Sequence, residues 1–270
     1  MADVYLLEGA VDLSAGASYS TGSLPSGGDN LYIIAGSQHI NAGVTALSAI
    51  ALATVFISSG FAGKLGSAGA PVVFSTITSL EVDAGGGEHY ISSSTVTASR
   101  VAGTGGGKFY IQGGTHTLLT VFGGDVEVGG AATVTTIQAL GGSTYMRTLT
   151  SGAATTTALV EQGRLTSERS IATVELADGL ANVLLVSAAA VTTKLRLFAG
   201  VYTHQSSGTI TLLDGVAGTF SSNGAKSKFA ITNANLYRRL SIVDGTNLSY
   251  ITWTNQPKLY GFKGGGALKV

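Results

Sequence analysis

The sequence predicts an all-β protein that folds as a right-handed parallel β-helix, or β-solenoid, with coils of about 19 residues and non-repeat caps at both ends. Three observations support this prediction. Glycines recur at a nearly constant spacing, short runs rich in Val, Ile, Thr, Tyr and Phe lie between them, and helical periodicity is almost absent. Frequent glycine together with β-branched residues disfavours helices of ordinary length.

The glycine repeat is the clearest of these signals. The glycines that recur at a nearly regular interval are Gly124, Gly142, Gly163, Gly179, Gly200 and Gly218. Between them a Thr-rich segment, an apolar residue and a short turn recur, as in 134–142 and 192–200. Repeats of this length indicate stacked units, because each unit can bury its apolar face only against its neighbours.

The segments between glycines have the alternation of strands. In 108–112 and 125–128, polar and apolar residues alternate, so the two kinds of side chain point to opposite faces. A coil of this length accommodates three short strands and three turns. Each coil then pairs in parallel with the next at about 4.8 Å, and right-handed winding is expected because parallel crossovers are overwhelmingly right-handed.

The two ends of the chain do not follow the repeat. We therefore expect an N-terminal cap or docking segment over 1–45, the β-solenoid over 46–232, and a C-terminal cap or docking tail over 233–270. The tail concentrates aromatic and basic residues on an otherwise neutral chain. Docking and plain capping are both consistent with this composition. The predicted partner-binding residues are Tyr237, Arg238, Arg239, Trp253, Tyr260 and Phe262.

Composition excludes several classes of function. Fifteen basic and 15 acidic residues cancel, which leaves no electrostatic footprint for nucleic acid or an anionic membrane. There is no cysteine, and hence no disulfide framework or thiol nucleophile. The N-terminus lacks a basic region before an apolar stretch, and the most apolar run, 46–57, is too short to span a bilayer. We expect a chain made in a cytoplasm that binds no membrane.

Threonines recur with the same period as the glycines. In a parallel ladder they would form a stripe on one face, through Thr97, Thr117, Thr135, Thr156, Thr173, Thr192 and Thr211. Threonine suits any exposed strand face, and threonine ladders also occur on ice-binding solenoids. The first interpretation is favoured here, because the flanking residues are not regular enough in sequence for a flat two-dimensional lattice.

Catalytic groups are sparse. Asp125 and Glu127 share one face of a strand at about 7 Å, a separation compatible with glycoside hydrolysis, but neighbouring coils offer no matching carboxylate. A solvated pair is the favoured interpretation. One polar group gives weak evidence for metal binding: Glu81, Asp83, Glu88 and His89. The sequence therefore predicts no enzyme, no catalytic residue, no cofactor and no metal.

Two Gly-Ala-Ala-Thr phrases, at 130–136 and 152–157, resemble the Gly/Thr-rich solenoid proteins encoded among the structural genes of tailed bacteriophages. The opening at 26–33 is similar, and the resemblance covers roughly residues 20–232. It implies a virion component, a capsid decoration or cement protein that acts as a homotrimer. It carries no catalytic residues to transfer to this chain.

Three functions compete at this point. The leading hypothesis is a non-enzymatic virion protein, made in the host cytoplasm, whose partners are its own copies and the major capsid protein or another virion protein. The second is a tail-associated adhesin or fibre segment that binds host glycans on exposed tyrosines, namely Tyr90, Tyr110, Tyr145 and Tyr202. The third is a polysaccharide-degrading β-helix enzyme.

Overall fold

The computed structural model describes residues 1–150, 154–187, 190–244 and 250–261. It confirms the predicted fold: 59% of the described residues are strand, and they form a parallel β-solenoid of about 11 turns with a spacing of about 20 residues. Within these residues the one helical element is a single 3₁₀ turn, Gly16–Ser18. The coils stack so that every strand pair between named strands is parallel.

The strands follow the chain from one end of the stack to the other. They are β1 (Asp3–Tyr5), β2 (Asn30–Ile33), β3 (His39–Ile40), β4 (Leu52–Ile57), β5 (Lys64–Leu65), β6 (Val72–Asp83), β7 (Glu88–Gly103), β8 (Lys108–Val121), β9 (Asp125–Ala139), β10 (Ser143–Met146), β11 (Thr155–Val160), β12 (Arg164–Ser167), β13 (Ile171–Leu176), β14 (Asn182–Leu185), β15 (Thr192–Leu197), β16 (Val201–His204), β17 (Ile210–Ser221), β18 (Phe229–Val243), β19 (Ile251–Trp253) and β20 (Lys258–Tyr260).

Strand β8 shows how one coil is built. Residues 108–111 alternate outward and inward, and 115–117 place two threonines outward around a buried His116. The third stretch, 118–121, buries Leu119 and Val121 in the core. We call these three stretches the tyrosine face, the threonine face and the third face, and the equivalent residues of other coils carry the same names. Register shifts near Ile111 and Gly113 mark the bend between the first two.

The core is a column of side chains that point into the coil. On the third face, Leu80, Ser99, Leu119 and Ile137 lie in register on successive coils, and all four are buried. Burying one large aliphatic side chain stabilises the fold by roughly 1.5–3 kcal/mol. Among the described residues, 54 apolar side chains are buried in one contiguous cluster. Packing and backbone ladders therefore hold the rod together without cysteine.

The parallel ladder crosses both boundaries predicted between the solenoid and its ends. Tyr5 pairs with Tyr32, and Tyr32 pairs with Phe56, so the first coils are longer than those in the middle of the rod. At the other end, Phe229 pairs with Ile251 across another long coil. These longer coils hide the repeat in the sequence. The division into 1–45, 46–232 and 233–270 stays a prediction.

At some coils the repeated glycine is required because any side chain would clash, and at others it is not. Gly142 has a φ of +65°, and a Cβ there would collide with the Gly124 carbonyl oxygen of the preceding coil. Only glycine combines this left-handed conformation with such a close approach. Gly179 has open space around it, so the spacing at that coil does not reflect a steric requirement.

Candidate functional site

The predicted docking residues of the tail lie on the last coils of the rod. Tyr237 and Tyr260 are in register on β18 and β20, and their rings stack with centroids 4.8 Å apart and planes 17° apart. They are 36% and 41% exposed. Parallel pairing of identical residues places one ring directly over the other, which produces this stack.

Basic and apolar side chains surround the stacked pair. Arg238 and Arg239 follow Tyr237 in β18 and are exposed, as is Lys258 near Tyr260 in β20. Leu259, which the sequence did not single out, is 42% exposed. We call this set the C-terminal cluster: Tyr237, Arg238, Arg239, Lys258, Leu259 and Tyr260.

The other two predicted docking residues are not part of this cluster. Trp253 is only partly exposed and packs against the hydrophobic core. It pairs with the buried Ile231, so its side chain continues the column of inward-pointing residues behind the threonine face. Its ring Nε1 is buried without a hydrogen-bond partner. Phe262 lies outside the described residues.

A groove adjoins the C-terminal cluster, with a volume of about 630 Å³. Such a volume lies within the range of ligand sites, roughly 300–1,000 Å³. The side chain of Asn255 donates a hydrogen bond of 2.9 Å to Asn233 along its wall. Its lining has two lysines and no carboxylate: Thr193, Lys194, Thr211, Leu212, Asn233, Ala234, Asn235, Asn255, Gln256 and Lys258.

A second cluster lies on the tyrosine face, near the middle of the rod. Tyr90 and Tyr110 are in register, and their rings stack with centroids 4.2 Å apart and planes 5° apart. The Lys108 ammonium lies 5.3 Å from the centre of the Tyr110 ring. Burial, together with the Tyr110 hydroxyl, raises the pKa of Tyr90 to about 12, and burial also raises the pKa of Tyr110. Both phenols are therefore neutral at ordinary pH.

Glu127 lies in register with Tyr110 on the next coil, and both of its carboxylate oxygens are hydrogen-bonded. Its two carboxylate oxygens accept hydrogen bonds of 2.8 Å from Lys108 Nζ and Arg147 Nε. Burial alone would raise the pKa of Glu127, but these two hydrogen bonds outweigh it and hold the pKa below its ordinary value. Glu127 is therefore an ionised structural carboxylate, whereas a glycosidase acid needs a raised pKa.

The next residues extend this network. The Arg147 guanidinium lies 4.8 Å from the centre of the Tyr145 ring, and the Tyr145 hydroxyl donates to Glu168. That hydrogen bond is the main cause that lowers the pKa of Glu168. Asp125 is exposed at the start of the same strand as Glu127. The arrangement offers half-exposed rings and fixed charges to a ligand.

Tyr202 was expected to be an exposed glycan platform, and that expectation is wrong. Its side chain is fully buried, in register with Val183 and Phe220 on the inward column of the tyrosine face. The ring stacks on Phe220 at 5.8 Å, and its hydroxyl lies 3.2 Å from Thr192 Oγ1. Tyr90, Tyr110 and Tyr145 occupy outward positions, so the four tyrosines do not form one surface.

The structure does not bring together the four residues considered for metal binding. His89 is buried and bonds the Gly86 carbonyl at 2.8 Å, while Glu88 points outward to Lys64 at 3.5 Å. Glu81 lies on another face, next to Ser79. Across the part of the chain that the structure describes, no group of three or more His, Asp or Glu could hold a metal ion.

The predicted threonine stripe is partly correct. Four threonines stack in one column on successive coils, because the residues beside them pair in register: Thr97, Thr117, Thr135 and Thr156. Thr173 pairs instead with Thr157, one column over, and Thr192 is buried opposite Ile210. A shift of one residue moves a side chain to another face, which the uneven spacings conceal.

Sequence reasoning missed Arg169, which is only 3% exposed. Its guanidinium donates hydrogen bonds to backbone carbonyls on two other coils, at Arg147 and Ala132. No pattern in the surrounding sequence marks it, because its partners lie on distant residues.

The described residues contain no helix long and apolar enough to cross a membrane. Comparison of the chain with protein-family models, with curated proteins and with solved structures gives no match.

Proposed function

We propose that the chain is a non-enzymatic structural protein of a phage virion, a capsid decoration protein that binds the head surface. The observation that supports this most is the C-terminal cluster, which places exposed aromatic and basic side chains at one end of a long rod. Aromatic residues and arginine are enriched at protein interfaces and dominate their binding energy.

The geometry of this end favours docking. Strand β20 pairs with β18, its one strand partner within the described residues. A strand edge invites further pairing unless it is covered, and a binding partner can cover it. Along the rest of the rod charges are few and are partly paired on the surface, as between Arg196 and Glu175 at 3.5 Å.

Capsid binding tests the proposal directly. Purified chain is mixed with heads of the encoding phage that lack it, and the bound fraction is measured by co-sedimentation. We expect wild type to bind, and the double variant Arg238→Ala/Arg239→Ala to lose most of this binding. Arg164→Ala removes an exposed arginine from the middle of the rod and is the matched control. A double variant that binds like the control would contradict the proposal.

The predicted homotrimer belongs to the same proposal. Light scattering of the purified chain should give three times the mass of one 27.1 kDa chain. A monomer without affinity for heads would contradict the proposal as a whole.

One observation favours a second candidate, a tail-associated adhesin or fibre segment that binds host glycans. The Tyr90–Tyr110 stack is partly exposed beside Lys108, and aromatic rings with nearby polar groups are a common surface for sugars. Immunogold labelling of particles separates head from tail. Glycan binding that Tyr110→Ala abolishes would support the adhesin.

A further inference from the structure

The threonine face carries two columns of threonine in one register. Thr76, Thr95, Thr115 and Thr133 lie directly opposite each other on four successive coils. Two residues further along each strand comes a second set, Thr78, Thr97, Thr117 and Thr135. Each of the four coils therefore presents a Thr-x-Thr segment at the same height.

The residue between each pair of threonines anchors the face. Ile77, Val96, His116 and Val134 point inward and have no exposed surface. Their burial fixes the strand so that both threonines of each coil point outward. The register shifts between these strands lie before or after the Thr-x-Thr segments, so the array is regular within them.

The eight hydroxyl groups of this array have no partner within the described chain: none donates or accepts a hydrogen bond with another protein group. Five of the threonines are exposed and the other three are half-exposed. Because χ1 of threonine is restricted by its branched Cβ, stacked copies tend to present methyl and hydroxyl groups in one orientation.

The two repeat distances of the array follow from strand geometry. Neighbouring coils are about 4.8 Å apart, and alternate residues of one strand are about 6.6 Å apart. Oxygen atoms on a prism face of ice repeat in two perpendicular directions at distances of comparable size. Hydroxyl groups on such a lattice can occupy water sites, while the methyl groups between them order the adjacent water.

We propose that the threonine face binds the surface of ice. The second column continues beyond the four coils through Thr156, Thr193 and Thr211, with Ala172 as an interruption. The regular part is the segment from Thr76 to Thr135. This inference does not depend on the virion proposal, because the C-terminal cluster lies elsewhere on the rod.

A second copy of the chain fits this face less well. A strip about 10 Å wide along about 11 turns covers on the order of 500 Å² at about 4.8 Å per turn. A stable interface buries roughly 800 Å² on each partner. Self-association through this strip would also bury hydroxyl groups that have no partner in the described chain, which costs free energy.

Growth of ice in a dilute solution of the protein tests the proposal. Wild type should be retained in the ice, shape the growing crystals and lower their growth temperature below the melting temperature. The variant Thr117→Tyr puts a bulky ring in the middle of the array and should lose these activities. Thr203→Tyr changes a half-exposed threonine on the tyrosine face and should keep them. Circular dichroism and thermal melting show that each variant is folded.

Two outcomes would overturn the proposal. Wild type that is excluded from growing ice like an ordinary protein is the first, and Thr117→Tyr with the activity of wild type is the second. Light scattering of the same samples tests whether a second copy of the chain occupies this face instead. If wild type is an oligomer that does not bind ice, and Thr117→Tyr dissociates it, the threonine face is a self-association surface. Loss of capsid binding by the arginine variants is a separate readout and affects only the virion proposal.

Discussion

The Nη1 of Arg169 donates a hydrogen bond of 2.8 Å to the carbonyl oxygen of Ala132, far earlier in the chain. The same guanidinium donates to the carbonyls of Arg147 at 2.8 Å and Gly129 at 3.1 Å. One buried side chain thus joins the bends of three successive coils. Burial lowers the pKa of Arg169 to about 10, so it keeps its charge at neutral pH.

Replacement of Arg169 by methionine should destabilise the rod strongly. The Ala132 carbonyl would stay buried without this donor, and the partly buried carbonyls of Arg147 and Gly129 would also each lose a donor. The cost is on the order of 3 kcal/mol in the free energy of unfolding. Urea denaturation followed by circular dichroism measures the effect. Arg164→Met, at an exposed position, is the control and should change stability by less than about 0.5 kcal/mol. Equal midpoints for the two variants would refute the role of Arg169.

Truncation of the core column tests the stacking itself. Ile137 is fully buried and lies between Leu119 and Ala158 on adjacent coils. Ile137→Ala should reduce the free energy of unfolding by about 2–5 kcal/mol through lost burial and a cavity. Thr157→Ala, at the outward position before Ala158, should have a small effect. A mild Ile137→Ala variant would indicate that this column is not close-packed.

The glycine turns make a graded prediction. In Gly142→Ala the alanine would have to adopt a positive φ, and its Cβ would also collide with Gly124. In Gly106→Ala the alanine would have to adopt a φ of +87°, but its Cβ would lie in open space. Gly69 has neither restriction. Thermal melts of the three alanine variants should therefore rank Gly142 as the most destabilising and Gly69 as near neutral, with about 1–2 kcal/mol for the φ penalty alone. Any other order would contradict the steric argument.

Buried histidines make stability depend on pH. Burial lowers the pKa of His116 to about 4, and burial likewise lowers the pKa of His89 and His204 to about 4. Below an ordinary pKa of about 6.5 the unfolded chain binds protons that the folded chain does not. Stability is therefore fully present above about pH 6.5 and declines as the pH falls toward 4.

The variant His116→Val tests this dependence. Val96 and Val134 occupy the same column on the adjacent coils, so valine suits the site, although Ser99 loses its 2.8 Å hydrogen bond to the ring. The free energy of unfolding, measured from pH 7 to pH 4, should fall less steeply in this variant than in wild type. His39→Gln, at an exposed position, is the control. Parallel profiles for His116→Val and wild type would contradict the assignment.

The fold could be predicted from the sequence because each coil repeats the same constraints. Gly142 shows this: a close approach of stacked backbones demands glycine, and its recurrence reveals the period. The long first coils escaped prediction because loops interrupt them, so that Tyr5 pairs with a residue as distant as Tyr32.

The sites were harder to predict than the fold. Tyr202 and Thr192 were assigned outward positions but are buried, since a slip of one residue reverses the side-chain direction. The Tyr237–Tyr260 stack needs the register between two coils, and only composition hinted at it. Arg169 gives no local signal, because its hydrogen-bond partners are backbone atoms of other coils.

Cryo-electron microscopy of the phage heads tests the proposed function most directly. We expect rod-shaped density on the head lattice, oriented so that the C-terminal cluster contacts the major capsid protein. Heads without such rods, or rods that attach by residues 1–45 or appear only on the tail, would contradict it.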